Sequence, residues 1–170
     1  YQAPGRVLAQ AGVDGFIIET MIDLKEALCA LRGCREVSSL PVVVSFTLSG
    51  KSSGGRTLMG QTMAQCAAAV AEQGGNAIGI NCGELDPEEI AQVVAELRHK
   101  TDLPILTQPN AGKPKLVQGE TVYDMSPDIF AQGILKCLEA GATMVGGCCG
   151  TTPDHIKAVA ELISKENKKQ

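Results

Sequence analysis

Tryptophan is absent from this sequence, and aromatic side chains make up only 3% of its 170 residues. The core must therefore consist mainly of aliphatic side chains. No apolar run approaches the roughly 20 residues that span a membrane, and no basic cluster offers a surface for nucleic acid. The formal net charge of −4 also disfavours a polyanionic partner. We therefore expect neither a membrane nor a nucleic acid as partner.

The sequence also lacks a signal peptide, so we expect a cytoplasmic protein. It opens on Tyr1 rather than methionine, which predicts that residues precede it in the natural protein. With 44% hydrophobic and 20% charged residues, the composition is that of an ordinary globular domain. We place one domain at 1–164 and a polar tail at 165–170.

Seven cysteines are present, an odd number that excludes complete disulfide pairing within one chain. In a cytosolic setting, cysteines serve more often as metal-binding, reactive or buried thiols than as disulfides. Four of the seven fall on predicted helices, where we expect them to act as small buried hydrophobic residues. These four are Cys29, Cys34, Cys66 and Cys137.

Short apolar runs rich in β-branched residues recur along the chain, mostly without alternation of apolar and polar positions. That pattern is typical of parallel strands covered on both faces. Apolar residues with helical spacing follow each run, and Asp23, Asp86, Ser126 and Thr152 are candidate N-caps. The predicted strands are 13–18, 42–48, 77–81, 103–107 and 142–146.

The spacing of these strands predicts five strand–helix units, preceded by the end of an earlier helix at 1–12. Either an open doubly wound sheet or part of a (β/α)₈ barrel fits this order. A complete barrel takes about 250 residues, so this chain has the length for five of its eight units. In both folds, ligands bind beyond the carboxyl ends of the strands.

Cys82, Cys148 and Cys149 lie at those carboxyl ends, after two different predicted strands. Three thiolates bind a catalytic zinc and leave a fourth position for water or substrate. Flanking glycines permit the backbone angles that turn adjacent side chains toward one point. A vicinal disulfide or unrelated buried thiols would also fit, and spacing does not distinguish zinc from another thiophilic metal.

Four motifs of this chain resemble those of a known family. The segment GGCCGTTPDHI at 146–156 closely resembles the last strand, loop and helix of the homocysteine S-methyltransferase family, and GINC at 79–82 resembles its other cysteine motif. PNAG at 109–112 and GRTLxGQ at 55–61 are similar to the homocysteine-binding module of cobalamin-dependent methionine synthases. The resemblance covers essentially the whole chain, in matching order.

The resemblance implies a (β/α)₈ TIM barrel of which this chain holds strands 4–8 with their helices, as the C-terminal portion of a homocysteine-binding domain. It implies that Cys82, Cys148 and Cys149 ligate Zn²⁺, and that no catalytic side chain is needed beyond this metal site. His99 and His155 accordingly have no expected catalytic role.

For the substrate, the resemblance implies that Glu19 accepts a hydrogen bond from the homocysteine ammonium group. It also implies that Asn110 lies near the metal and fills the fourth position before substrate arrives. Asn81 and Thr47 are candidates for further hydrogen bonds in the pocket. A solvated acidic residue at Glu19 and a turn-forming asparagine at Asn110 are the other interpretations.

The implied reaction is zinc-dependent methyl transfer to the thiol of homocysteine, which gives methionine. A free thiol has a pKa of about 8.5 and is mostly protonated at neutral pH, whereas a metal-bound thiol is deprotonated. PNAG and GRTLxGQ favour a methylcorrinoid donor such as methylcobalamin, carried on a separate domain or protein. An onium donor such as betaine or S-methylmethionine is the alternative.

Two other functions stay open at this stage. A five-unit fragment has unpaired edge strands and can be an inactive zinc- or thiol-binding fragment. Cys148 and Cys149 can instead form a dithiol redox pair. The segment 49–55 resembles a phosphate-binding loop, but Ser45 stands where that motif requires glycine. We therefore interpret 49–55 as a flexible active-site loop.

Overall fold

A computed structural model describes residues 1–49 and 55–168 of the chain. Most of the segment 49–55, interpreted above as an active-site loop, therefore lies outside the described residues. The helices are α1 Gln2–Gln10, α2 Leu24–Val37, α3 Met63–Glu72, α4 Pro87–Arg98, α5 Pro127–Glu139 and α6 Pro153–Asn167. The strands are β1 Phe16–Met21, β2 Val42–Phe46, β3 Ala77–Asn81, β4 Ile105–Gln108, β5 Lys115–Val117, β6 Glu120–Val122 and β7 Met144–Val145.

Five parallel strands form one sheet in the order β1-β2-β3-β4-β7. The α/β class and the succession of strand–helix units are therefore confirmed. The sheet order follows the chain order, so the carboxyl ends of all five strands lie along one edge. The central strand β3 is buried throughout, as predicted, whereas the outer strand β1 alternates and leaves Ile17 55% exposed.

The bounds of β1 differ from the prediction. The strand was expected at 13–18 but runs from Phe16 to Met21, so Glu19 lies within it rather than after it. The register shifts between Ile18 and Met21, and Thr20 has a φ of 62°. Such a bulge lets the strand continue pairing past two polar residues while it redirects their side chains.

A β-hairpin, β5–β6, was missed by the sequence reasoning. Its strands are antiparallel, and the turn residues Gln118 and Gly119 have φ values of 51° and 88°. A turn with two positive φ values matches the right-handed twist of a two-stranded hairpin. Helix α6 also differs from expectation, because it continues to Asn167 and takes in the start of the polar tail predicted at 165–170.

The core consists mainly of aliphatic side chains, as the composition predicts. Strands β2, β3 and β4 pack residues such as Val44, Ile78 and Ile105 against α2, α3 and α4, all three fully buried. A second cluster joins α5 to α6 around Phe130 and Val159. Within residues 1–49 and 55–168, no helix combines the length and the hydropathy needed to cross a bilayer.

Of the four cysteines predicted to be buried, three are and one is not. Cys34, Cys66 and Cys137 are buried, but Cys29 is exposed. The inner face of α2 is filled by Ala27, Ala30, Leu31 and Cys34. Cys29 therefore points to solvent, where its sulfur lies 3.1 Å from the guanidinium of Arg32.

Replacing Cys66 with alanine is expected to make the protein less sensitive to alkali. Burial raises the pKa of the Cys66 thiol from 9.0 to about 12, so above pH 9 only the unfolded state loses this proton. Stability is then lost as pH rises, at about 1.4 kcal/mol per pH unit for this group. Urea unfolding at pH 8 and pH 10.5 measures the slope, and the exposed Cys29→Ala is the matched control. An unchanged slope in Cys66→Ala would contradict the assignment.

Candidate metal centre

Three cysteines meet at the carboxyl edge of the sheet. Cys82 directly follows β3, and Cys148 and Cys149 lie in the loop after β7. Their three sulfur atoms all lie within 4.8 Å of one another, and the Cys82 and Cys149 sulfurs are 3.8 Å apart. The parallel sheet thus brings together residues that are far apart in sequence.

The spacing and the donor atoms fit a thiophilic metal. A tetrahedral zinc with Zn–S bonds of about 2.3 Å holds its sulfur ligands about 3.8 Å apart. The described residues include all seven cysteines, and each is a free thiol, so Cys148 and Cys149 do not form the vicinal disulfide considered above. Three soft sulfur donors favour zinc or another thiophilic ion over magnesium or calcium.

The loop that carries Cys82 is held by a close backbone approach. Cys82 and Gly83 have φ values of 56° and 77°, in the left-handed region. A Cβ atom on Gly83 would lie 2.5 Å from the carbonyl oxygen of Leu48, so only glycine fits here. The backbone N–H of Cys82 donates to the carbonyl of Gln108 at 3.1 Å, which extends the β3–β4 pairing to Cys82.

A tight turn carries the other two cysteines. The Cys148 N–H donates to the carbonyl of Pro109 at 2.9 Å, and the Thr151 hydroxyl donates to the Cys148 carbonyl at 2.7 Å. Gly150 has a φ of 78°, the special backbone angle that the flanking glycines predicted. Gly147 has a different role, because a Cβ atom there would lie 2.4 Å from Thr151 Cγ2.

Asn110 connects the two cysteine loops. Its side-chain amide donates to the carbonyl of Gly83 at 3.1 Å, and its side-chain carbonyl accepts from the N–H of Cys149 at 3.1 Å. The residue is only 5% exposed. Its amide therefore fixes the distance between the backbone of the Cys82 loop and that of the Cys149 loop.

Asn81 is the centre of a second polar network beside the sulfurs. Its side-chain oxygen accepts from the Thr20 N–H at 2.9 Å and from the Ser45 hydroxyl at 2.7 Å. Its Nδ2 donates to the Thr20 hydroxyl at 2.8 Å and lies 4.0 Å from the Cys148 sulfur. The Thr47 hydroxyl donates to the backbone carbonyl of Asn81 at 2.7 Å. Strands β1, β2 and β3 are therefore linked to the cysteine cluster.

Comparison with known proteins places the chain in a family. The family model of homocysteine S-methyltransferases matches residues 1–163. The chain belongs to the homocysteine S-methyltransferase family. A methionine synthase of Mycobacterium leprae (strain TN) is 33% identical over 166 residues, and one of Mycobacterium tuberculosis (strain ATCC 25618 / H37Rv) is 31% identical over 163 residues.

The solved structures add a comparison of folds. The apo form of the homocysteine methyltransferase MmuM from Escherichia coli superposes with a TM-score of 0.72 at 27% identity. The carboxyl transferase domain of Rhizobium etli pyruvate carboxylase reaches a TM-score of 0.70 at 17% identity, a likeness of fold alone. The matches cover 94% and 92% of this chain for the two methionine synthases and 94% for MmuM, but only 13% of each synthase and 55% of MmuM.

In this member of the family, Glu19 is not part of the cysteine cluster. It is exposed in β1, next to Thr20, whose backbone and hydroxyl both bond to Asn81. The sequence reasoning gave no role to Thr20, which follows the first predicted strand, or to Ser45, which lies within the second. It placed Gln108 after a predicted strand without a role, and the buried side-chain oxygen of Gln108 has no hydrogen-bond partner among the described residues.

The electrostatics of the site favour the protonated form of the Cys148 thiol as long as no cation is bound. Burial and the neighbouring Cys82 sulfur raise the pKa of Cys148 to about 11. Partial burial and a hydrogen bond to Cys149 raise the pKa of the Tyr123 phenol above its ordinary value. A divalent cation reverses this balance, because it stabilises thiolate over thiol.

Proposed function

We propose that this chain is a zinc-dependent module that transfers a methyl group to the thiol of homocysteine and so forms methionine. The observation that supports it most directly is the set of three cysteine sulfurs, within 4.8 Å of one another, at the ligand-binding edge of the sheet. Membership of the homocysteine S-methyltransferase family is the second support.

In this proposal Cys82, Cys148 and Cys149 hold the metal and leave one position free. Zinc bound there supplies the positive charge that makes a nearby thiol lose its proton. The chain itself then has two tasks, which are to orient the homocysteine sulfur and to keep the approach of the methyl donor open. In the transfer, the new sulfur–carbon bond forms as the bond between the methyl group and its donor breaks.

The polar residues around the sulfurs are proposed to orient the substrate. Asn110 fixes the two cysteine loops, and we assign it the place next to the fourth position of the metal. Asn81 and Thr47 line the same edge and are joined by the hydrogen bond from the Thr47 hydroxyl to the Asn81 carbonyl. The exposed carboxylate of Glu19 is proposed to accept the homocysteine ammonium group, since an acidic side chain on β1 is free to face a cation from solvent.

The methyl donor is proposed to be a methylcorrinoid carried on a separate domain or protein. The two methionine synthases are many times longer than the segment they share with this chain, which leaves room in them for other modules. An onium donor such as betaine or S-methylmethionine is the alternative. We further propose that 1–164 is a homocysteine-binding domain whose five parallel strands are strands 4–8 of a (β/α)₈ barrel, and that it works in the cytoplasm.

Metal removal tests the proposal on the chain as it stands. Protein purified under reducing conditions is expected to hold about one equivalent of zinc and to form methionine from homocysteine and methylcobalamin. Chelation is expected to abolish the reaction, and added zinc is expected to restore it, with a buffer-treated sample as control. S-methylmethionine and betaine are assayed in parallel as donors.

The other outcomes separate the competing functions. A folded chain without zinc would rule out the metal mechanism. A chain that holds zinc but forms no methionine from any of the three donors would support the inactive fragment. Reversible oxidation of Cys148 and Cys149 that is unaffected by zinc would favour the dithiol redox function instead.

A further inference from the structure

Tyr123 lies directly on the turn that carries two of the cysteines. It follows the β5–β6 hairpin, and its ring packs on the backbone of Gly150. A Cβ atom on Gly150 would lie 2.3 Å from Tyr123 Cγ and 2.4 Å from its Cβ, so the tyrosine occupies the space that any other side chain at 150 would need. The hairpin therefore ends with an aromatic ring seated against the residue next to Cys149.

The phenol of Tyr123 lies beside the cysteine cluster. Partial burial and the Cys149 sulfur, with smaller effects from Cys82 and Cys148, raise the pKa of the phenol, in keeping with the position of its ring against Gly150. A phenol is protonated at neutral pH and donates to a thiolate. The Cys148 sulfur has a donor of its own, the Asn81 amide at 4.0 Å.

The chain on both sides of Tyr123 is anchored. Asp124 pairs with Lys115 across the hairpin, and the Met125 N–H donates to the Ala111 carbonyl at 3.2 Å. The Met125 carbonyl in turn lies 2.9 Å from the ring nitrogen Nε2 of His155, a buried residue in the first turn of α6. These contacts hold the phenol in place relative to the loop after β4 and to the cysteine turn.

We propose that Tyr123 is a positioning residue of the metal centre, whose hydroxyl donates a hydrogen bond to the metal-ligating sulfur of Cys149. The proposal rests on the proposed zinc site. A hydrogen bond to a ligating thiolate withdraws electron density from the sulfur and fixes its orientation, and such outer contacts change metal affinity by about ten- to a hundredfold. In this proposal the segment that follows the β5–β6 hairpin contributes a residue to the metal centre.

The predicted signature is spectroscopic and does not depend on turnover. In protein loaded with Co²⁺, sulfur-to-metal charge transfer absorbs at longer wavelength when the sulfur loses a hydrogen bond, because its lone pairs rise in energy. Tyr123→Phe keeps the ring on Gly150 and removes only the hydroxyl. We therefore expect a red shift of this band and a zinc affinity that is lower by about tenfold, the small end of that range, since the ring stays in place.

The test compares wild type, Tyr123→Phe, Tyr123→Leu and Tyr1→Phe. Tyr1 is the other tyrosine of the chain and donates to Glu26 on α2, and the cysteine beside it is Cys29 rather than one of the three clustered cysteines, so Tyr1→Phe is the matched control. Co²⁺ absorption and zinc competition with a chromophoric chelator are measured on samples whose melting shows that they are folded. The proposal expects the red shift in both Tyr123 variants and in neither wild type nor Tyr1→Phe.

Two results would overturn it. If Tyr123→Phe matches wild type and only Tyr123→Leu changes the spectrum, the tyrosine acts through its ring and the hydrogen bond is unimportant. If both variants match wild type, Tyr123 has no part in the metal centre. Failure of wild type itself to bind Co²⁺ or zinc would be a different result, because it would refute the metal site on which the proposal rests.

Discussion

Replacing Cys82 with serine is expected to lower the zinc affinity of this chain about a hundredfold or more. The binding free energy of zinc in a four-ligand site is about 10–16 kcal/mol, which is roughly 3 kcal/mol per ligand on average. The serine hydroxyl keeps its proton at neutral pH and is a harder donor than a thiolate. Cys82 is also the only proposed ligand next to β3, so without it a metal would be held from the loop after β7 alone.

The matched control for this variant is Cys29→Ser. Cys29 is an exposed thiol on α2 beside Arg32, so it tests the same chemical change away from the site. Elemental analysis gives zinc per chain, and chelator competition gives the affinity, both under reducing conditions. The assignment of Cys82 as a ligand would be wrong if Cys82→Ser kept the stoichiometry and affinity of wild type.

A methyl group on Gly83 is expected to disturb both the fold and the metal centre. The new Cβ atom would lie 2.5 Å from the Leu48 carbonyl oxygen, and its nearest neighbours are all backbone atoms of Leu48 rather than a flexible side chain. The φ of 77° adds strain of its own. Together these effects are expected to cost about 1–3 kcal/mol of stability. Because Cys82 is the preceding residue, we also expect its sulfur to move and zinc affinity to fall.

The variant Gly12→Ala distinguishes the effect of steric overlap at the new Cβ atom from the effect of a positive φ. Gly12 has a similar φ of 84°, but a Cβ atom there meets nothing within 4 Å. This control is expected to lose about 1 kcal/mol through strain and to bind zinc as wild type does. Urea unfolding and chelator competition on both variants make the comparison. Equal zinc affinity in Gly83→Ala and Gly12→Ala would contradict the role given to the Leu48 contact.

Local signals explain what was predictable from the sequence. Helix α4 begins where Asp86 and Pro87 predict it, because an N-cap and a proline act on their own turn of backbone. The central strands are continuous apolar runs with few other choices of structure. The meeting of the three cysteines also follows from the sequence, since the carboxyl ends of parallel strands share one edge.

The contacts that were missed depend on tertiary structure. Exposure of Cys29 is decided by which face of α2 meets the sheet, and apolar spacing alone assigns it only approximately. The bulge that brings Thr20 to Asn81 arises from β1 pairing with β2. Tyr123 meets the cysteine turn at Gly150 only because a hairpin folds back over that turn. The pair Gln118-Gly119 between two short β-prone runs was the local signal for that hairpin.

The separation of Cys82 and Cys149, 67 positions apart in sequence, has a consequence for folding. An ion that binds both loops acts as a removable cross-link, and it closes a ring that contains α4, β4, the hairpin, α5 and β7. A covalent link over a ring of this length lowers the entropy of the unfolded chain by an amount worth about 4 kcal/mol. Loss of such an ion would thus lower the stability of the segment between Cys82 and Cys149, in addition to removing the chemistry of the site.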